Sequence, residues 1–443
     1  MRLRLATAMF AAMALVVAAC GDDDDDAAAD EEAPEEDGAA GEDTGTVDVL
    51  TALAPDAEGA IVDPVVDEMI NAEADYTVEM ENAAGDFTQQ FQIRGEAGTL
   101  DVAWVPQPGQ IADVAVPNGA VSLEEMGFDI AELEETYGEG GMALGEVDGQ
   151  HYAIPTAVSL KSMIWYPVDD FEAAGYEVPE TFDDLIALSD QIVEDGGTPW
   201  CVGYEDGDAT GWPATDWMED IMLAGPGPEV YDQWVNHEIP FDDEAVQTAG
   251  ERFGEIMFGD GYVLGGADQT PSIAFGDAPA PMFDDPPGCW LHRQASFIPS
   301  FFPEDAEAGV DYDWFPFPAI EQQGALLSGN LVVAFRDAPE VRDFLERFSS
   351  EEVQCAIGED PESSLISPNS NVGPDCYGNE IIGGASEVVL EALAQDTGRF
   401  DASDQMPPQV GSDSFWTEMM AYMQGGPDSL QTVLQNIEQT WPE

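Results

Sequence analysis

Apolar and polar positions alternate along this chain in two distinct rhythms. Residues 47–53, VDVLTAL, and 76–82, YTVEMEN, carry the two-residue period of strands, and LDVAWV at 100–105 is almost continuously apolar, as a strand buried on both faces is. Between the first two, Ile61, Val65, Val66, Met69 and Ile70 recur at helical spacing and predict a helix over 58–74; a second helix is predicted over 86–95. Strand and helix in alternation predict an α/β fold with an open sheet. In such sheets ligands bind beyond the carboxyl ends of the strands, which draws attention to Trp104, Gln107 and the loop PQPG at 106–109.

The pattern continues from His151 as a strand, a turn, a strand containing Met163 to Tyr166, and two short helices. TPWCVGYEDG at 198–207 reads as a strand and loop, ATGWPATDWMEDIML at 209–223 as a loop entering a helix, and APAPMFDDPPGCW at 278–290 as a strand into a loop. GALLSGNLVVAF at 324–335 is a further strand; helices are predicted over 341–350, 414–425 and 428–440.

The N-terminus breaks both rhythms. Arg2 and Arg4 precede an uncharged run, Ala6 to Ala19, that is short for a membrane span, and Ala18 and Ala19 stand before Cys20. This resembles the bacterial lipobox, in which the cysteine receives diacylglycerol; two acyl chains suffice for stable anchoring. Residues 21–45 hold 13 acids and no basic residue, so like charge and lack of apolar surface predict a disordered tether. Residues 1–20 are therefore expected to be a lipoprotein signal peptide, 21–45 an acidic tether, and the rest an exported body held at the outer face of the cytoplasmic membrane.

Charge sharpens this picture. Ten Lys and Arg stand against 92 Asp and Glu, a formal net charge of −82. No basic patch can form, so nucleic acid is excluded as a partner. The acids are spread along the chain without an EF-hand pattern, so they read as the surface of a protein working in high salt rather than as calcium ligands. No metal or other cofactor is expected. Apart from Cys20, the cysteines are Cys201, Cys289, Cys355 and Cys376; an even number in an exported protein predicts disulfides, with three connectivities open, and the lack of a CxxC pair speaks against zinc.

Several segments together, in order, resemble an exported solute-binding protein of a bacterial ABC importer, in the carbohydrate-binding family that includes maltose-binding and α-glucoside-binding proteins. They are LDVAWV, YAIPTAVSLKSMIWYPVDDFEAAGY, IAFGDAPAPMFDDPPGCW, LLSGNLVVAF and MPPQVGSDSFWTEMM; PWCVGYEDGDATGWPATDWMEDIML is similar to the α-glucoside and trehalose branch. The resemblance implies a periplasmic-binding-protein-like fold: two α/β lobes, a cleft between them and a hinge of several strands. Lobe one is expected at 46–157 and 328–380, lobe two at 158–327 and 381–443. On that division the disulfides implied are Cys201–Cys289 and Cys355–Cys376, each within one lobe. The partners implied are a small oligosaccharide and a membrane permease, with the chain a monomer.

A sugar ring presents an apolar C–H face and a rim of hydroxyls, so a site for it needs flat aromatics beside carboxylates and amides. The resemblance puts Trp104, Trp212, Trp290 and Trp416 at stacking positions. Asp216, Asp285 with its neighbour Asp284, Gln107 and Arg293 are the polar candidates. Arg293 either binds a hydroxyl or pairs with carboxylates, with pairing the preferred reading. Ser159 and Lys161, the chain's only lysine, stand in the expected hinge where the maltose-binding protein has a glutamate, which argues against maltose. Acid pairs abound, so a surface glycoside hydrolase is the competing class; no GxSxG, HExxH or P-loop motif supports an enzyme.

Overall fold

The computed structural model describes residues 45–442 except 56, 57, 84, 85 and 304. Cys20, the signal segment and the tether up to residue 44 lie outside the described residues. Among the described residues eleven strands follow one another: β1 (Thr46–Thr51), β2 (Thr77–Asn82), β3 (Val102–Val105), β4 (Glu146–Val147), β5 (Gln150–His151), β6 (Ala153–Leu160), β7 (Met163–Pro167), β8 (His292–Arg293), β9 (Tyr312–Pro316), β10 (Ala325–Ala334) and β11 (Gly398–Phe400). The main sheet runs β11-β10-β3-β1-β2, with β6 on the other edge of β10. β1 pairs in parallel with β2 and β3; β10 pairs antiparallel with β3 and β6. A smaller antiparallel sheet joins β8, β7 and β9.

β3, at the centre of the first lobe's sheet, is buried on both faces, whereas the edge strand β2 leaves alternate residues exposed. In β3, Val102 and Trp104 join one core with Val47, Val49 and Phe348, while Ala103 and Val105 join another with Phe87 and Phe91. Alternation of side chains across a strand dictates that division. The second lobe's core gathers Trp200, Trp217, Trp234 and Phe253 with Phe415 and Met419 from the C-terminal helices. β6 and β10 belong to both lobes. Ile154 and Val332 pack in the first core, Val158 and Leu327 in a cluster with Trp165 and Ile382, and Leu326 in the second core. The pairing of β10 with β6 shifts register between Asn330 and Leu331, and bulges of this kind bend strands beside sites. Gly329 allows it: a Cβ there would lie 2.4 Å from the Ala157 carbonyl oxygen.

Both expected disulfides form, Cys201–Cys289 with Cα atoms 5.4 Å apart and Cys355–Cys376 with 5.0 Å. Three expected elements differ. Helix 58–74 is α-helical over Glu58–Val65 and continues as π-helix over Val66–Asn71. Residues 198–207 form only isolated bridges, from Trp200 to Val263 and Leu291 and from Glu205 to Ala274. Residues 278–290 are not a strand; Ala280–Phe283 is a 3₁₀ turn in a proline-rich stretch that lacks the donors of a ladder.

Candidate functional site

A cavity of about 360 Å³ opens at the carboxyl ends of β1 and β3. The first lobe contributes Phe87, Thr88, Pro106 and Gln107; β6 and β10 contribute Ser159 and Asn330, and Lys161 follows the end of β6. Trp212, Phe297, Asp401, Asp404 and Trp416 close it from the second lobe. Trp212 begins the helix Trp212–Ala224, and Trp416 begins the helix Trp416–Gly425. The two helix starts meet at Gly211, which has a positive φ of 117° and whose Cβ would lie 2.3 Å from the Trp416 carbonyl oxygen. Only glycine satisfies both conditions.

Each tryptophan is held by its indole N–H. Trp212 Nε1 donates to Asp206 Oδ2 at 2.9 Å, and Trp416 Nε1 donates to Ser403 Oγ at 3.0 Å. The Lys161 ammonium lies 5.0 Å from the centroid of the Trp212 ring, within cation–π range. Gln107 Nε2 donates to Asp404 Oδ1 at 3.1 Å, joining the loop after β3 to the second lobe.

Beneath the cavity lies a buried charge network. Lys161 donates to Asp216 Oδ1 at 2.9 Å and to Asp401 Oδ2. Arg293 Nη1 bonds Asp216 Oδ2 at 2.8 Å, and Arg293 Nε bonds Asp220 Oδ2 at 2.9 Å. Asp216 and Asp220 stand four residues apart on one face of the helix Trp212–Ala224. Glu219 accepts from the backbone N–H groups of Ala402 at 3.0 Å and Ser403 at 3.3 Å.

Five carboxyl groups thus face two cations. Burial would lower the Lys161 ammonium, but Asp216 and Asp401 raise it above its ordinary value, so it stays charged. Burial acts to raise the carboxyl of Asp401, yet Lys161 outweighs it and holds the group below its usual value. Burial, then the charge of Asp401, pushes Asp404 up to about 8 and Glu219 well above the usual carboxylate range. These last two are the members without a direct cation partner; burial also raises Asp216 and Asp220, against the pull of Lys161 and Arg293. Asp404 keeps part of its surface towards the cleft, where water moderates the shift. Asp216, Glu219 and Asp401 also offer oxygens within 4.8 Å of one another, but the Lys161 ammonium already supplies the positive charge there.

Of the residues singled out from the sequence, Gln107, Trp212 and Trp416 line the cavity, with Ser159 and Lys161. Trp104 does not: it is 2% exposed and meets Phe348 edge-on at 5.1 Å, because its parity in β3 turns it to the core rather than to the strand end. Trp290 does not either; it packs edge-on against Tyr176 at 5.0 Å, since Leu291 takes the inward position beside it. Asp284 and Asp285 are exposed on their turn and do not line the cavity. Asp216 and Arg293 lie under the cavity floor, fully engaged with each other and with their partners, so Arg293 pairs with carboxylates. Sequence reasoning missed Asp401, Ser403, Asp404 and Phe297. For Asp401 and Asp404 the one signal was the solitary lysine, since a buried cation in so acidic a chain is met by carboxylates; Ser403 and Phe297 had none.

Residues 54–354 match the family described as bacterial extracellular solute-binding protein. The chain belongs to that family. This solute-binding protein is 40% identical over 363 residues to the osmoprotective compounds-binding protein GgtB of Synechocystis sp., covering 80% of this chain and 83% of the relative. It is 40% identical over 377 residues to the alpha-glucosides-binding periplasmic protein AglE of Rhizobium meliloti, covering 81% and 80%. Among solved structures, the bacterial solute receptor AcbH superposes with a TM-score of 0.72 at 16% identity over 89% of this chain and 98% of that one, a likeness of fold. Like its relatives, the solute-binding protein has the two-lobed α/β architecture.

Proposed function

We propose that the protein captures a small oligosaccharide, an α-glucoside such as trehalose, sucrose or maltose, between its lobes and delivers it to an ABC permease. The observation that carries this reading is the pairing of Trp212 and Trp416 in one cavity with Lys161, Asp401, Asp404, Gln107 and Asn330. Flat apolar faces beside a polar rim are what a sugar needs. About 360 Å³ stands near the lower end of the range for ligand pockets, which favours one or two rings. The relatives named for alpha-glucosides and for osmoprotective compounds support the same class. Lys161, which lines the cavity, and Arg293 beneath its floor are both engaged by carboxylates, so an anionic solute finds no open positive charge in the cavity lining.

Lobe one comprises 46–157 and 328–380, lobe two 158–327 and 381–443, and β6 and β10 are strands of the hinge. The sugar binds the closed arrangement better and so shifts the population towards it. Cys20 carries the lipid, residues 21–45 are the tether, and the body acts as a monomer; Cys20→Ser should abolish retention in the membrane fraction.

Calorimetry and tryptophan fluorescence over trehalose, sucrose, maltose, a peptide and a polyamine test the ligand class. A disaccharide should bind unchanged, and Trp416→Ala should weaken it about tenfold. Binding of the peptide or polyamine with no saccharide bound at about 1 mM overturns the reading, and hydrolysis of the disaccharide would return the protein to the glycosidases.

A further inference from the structure

The two cleft tryptophans are joined by an unbroken series of polar contacts through the cavity floor. The Trp416 indole N–H donates to Ser403 Oγ at 3.0 Å, and Ser403 Oγ donates in turn to Asp401 Oδ1 at 2.7 Å. Asp401 Oδ2 holds Lys161, and the Lys161 ammonium lies 5.0 Å from the Trp212 ring centroid. The direction of each link is forced. An indole N–H can only donate, so Ser403 must accept there and give its own hydrogen elsewhere. The nearest acceptor is a carboxylate kept ionised by the ammonium. Ser403 is 2% exposed and Lys161 5% exposed, so neither bond has water to replace it.

We infer that Ser403 is a positioning residue for sugar binding: it transmits the Lys161–Asp401 ion pair to the Trp416 ring and fixes that ring relative to Trp212. Ser403 itself does not line the cavity; it acts through Trp416. Sugar stacking depends on ring orientation, so a ring freed from its anchor must be ordered again each time ligand binds. This inference rests on the reading of the cleft as a sugar site.

A double-mutant cycle with Ser403→Ala and Trp416→Phe tests it. Trp416→Phe keeps a flat ring but removes the N–H. Each single change should raise the Kd for the bound disaccharide about fivefold, the worth of one such hydrogen bond. The double variant should also lie at about fivefold, because either change alone already breaks the link; independent effects would give about 25-fold and overturn the inference. Unchanged affinity in Trp416→Phe overturns it as well, and that variant serves if Ser403→Ala fails to fold. A readout without sugar separates the two layers. In protein labelled with ¹⁵N-tryptophan, Ser403→Ala should move the Trp416 indole resonance upfield. Ser189→Ala should move only that of Trp200, whose Nε1 donates to Ser189 Oγ. A Trp416 resonance unmoved by Ser403→Ala refutes the link, whereas failure of the wild type to bind any sugar, with that resonance shifted, refutes only the cleft's ligand class.

Discussion

At the scale of single residues, the cleft floor shows how burial and pairing sort identical side chains into different roles. Asp401 and Asp404 are three positions apart in a short helical turn, yet one is held ionised by Lys161 and the other, without a cation, is pushed up to about 8. The consequence for stability has opposite sign for the two. Asp401 binds its proton more weakly in the folded state, so its contribution is present above its unfolded value near 4 and is lost only as pH falls through its lower folded value. Asp404 binds its proton more tightly when folded. From about pH 4 to about 8 the folded state holds the extra proton, so stability falls as pH rises through that window and levels off above it. Asp404→Asn should therefore flatten the melting temperature between pH 5 and 8 at constant salt; an unaltered slope would assign the proton elsewhere, Glu219 being the next candidate. The tryptophans make the same point. Trp104 and Trp212 look alike as residues at strand or helix ends, and one is core while the other lines the cleft.

Secondary-structure elements divide by how much of their environment the chain itself supplies. β3 was readable because a strand covered on both faces is apolar throughout, whatever covers it, β1 by its two-residue alternation, and β10 by the apolar runs on either side of Ser328–Asn330. Segment 278–290 was not, because its apolar residues are spaced by prolines that prevent a ladder, and its form depends on Cys289. That bridge spans a sequence separation of 88 residues across the second lobe, against 21 for Cys355–Cys376 in the first. Removing the longer one by a paired Cys201→Ala and Cys289→Ala change should cost about 4.5 kcal/mol of unfolding free energy, and the shorter pair about 3 kcal/mol. Denaturant titration of both variants checks the order. Neither bridge joins residues that line the cleft, so sugar affinity should survive both changes; loss of binding in a still-folded variant would mean that the bridges shape the site.

For the whole molecule, electrostatics is the dominant unusual term. Among the described residues, Arg94, Arg336, Arg342, Arg347 and Arg399 are all ion-paired on or near the surface, and Lys161 and Arg293 are buried. Pairing therefore consumes nearly every cation and leaves most carboxylates facing one another at a formal net charge of −82. Salt at about 1 M shortens the screening length to roughly 3 Å, less than the spacing of neighbouring side chains. The melting temperature should rise steeply between about 0.1 and 1 M NaCl with a chelator present. A flat profile would count against a protein adapted to high salt.

The class of fold, the division into buried strands and amphipathic helices, the excess of negative charge and the family were legible from the chain's residues alone. Each of these is set by local periodicity, by composition or by the order of segments, and none requires knowing which distant residues meet. Which tryptophans face the cleft and which carboxylates meet a cation came from the folded arrangement. Those outcomes depend on strand parity, on the close approach at Gly211 and on where one lysine is placed among five acids. They are properties of contacts between residues far apart in the chain, 240 positions for Lys161 and Asp401 and 297 for Gln107 and Asp404, and no local pattern carries them.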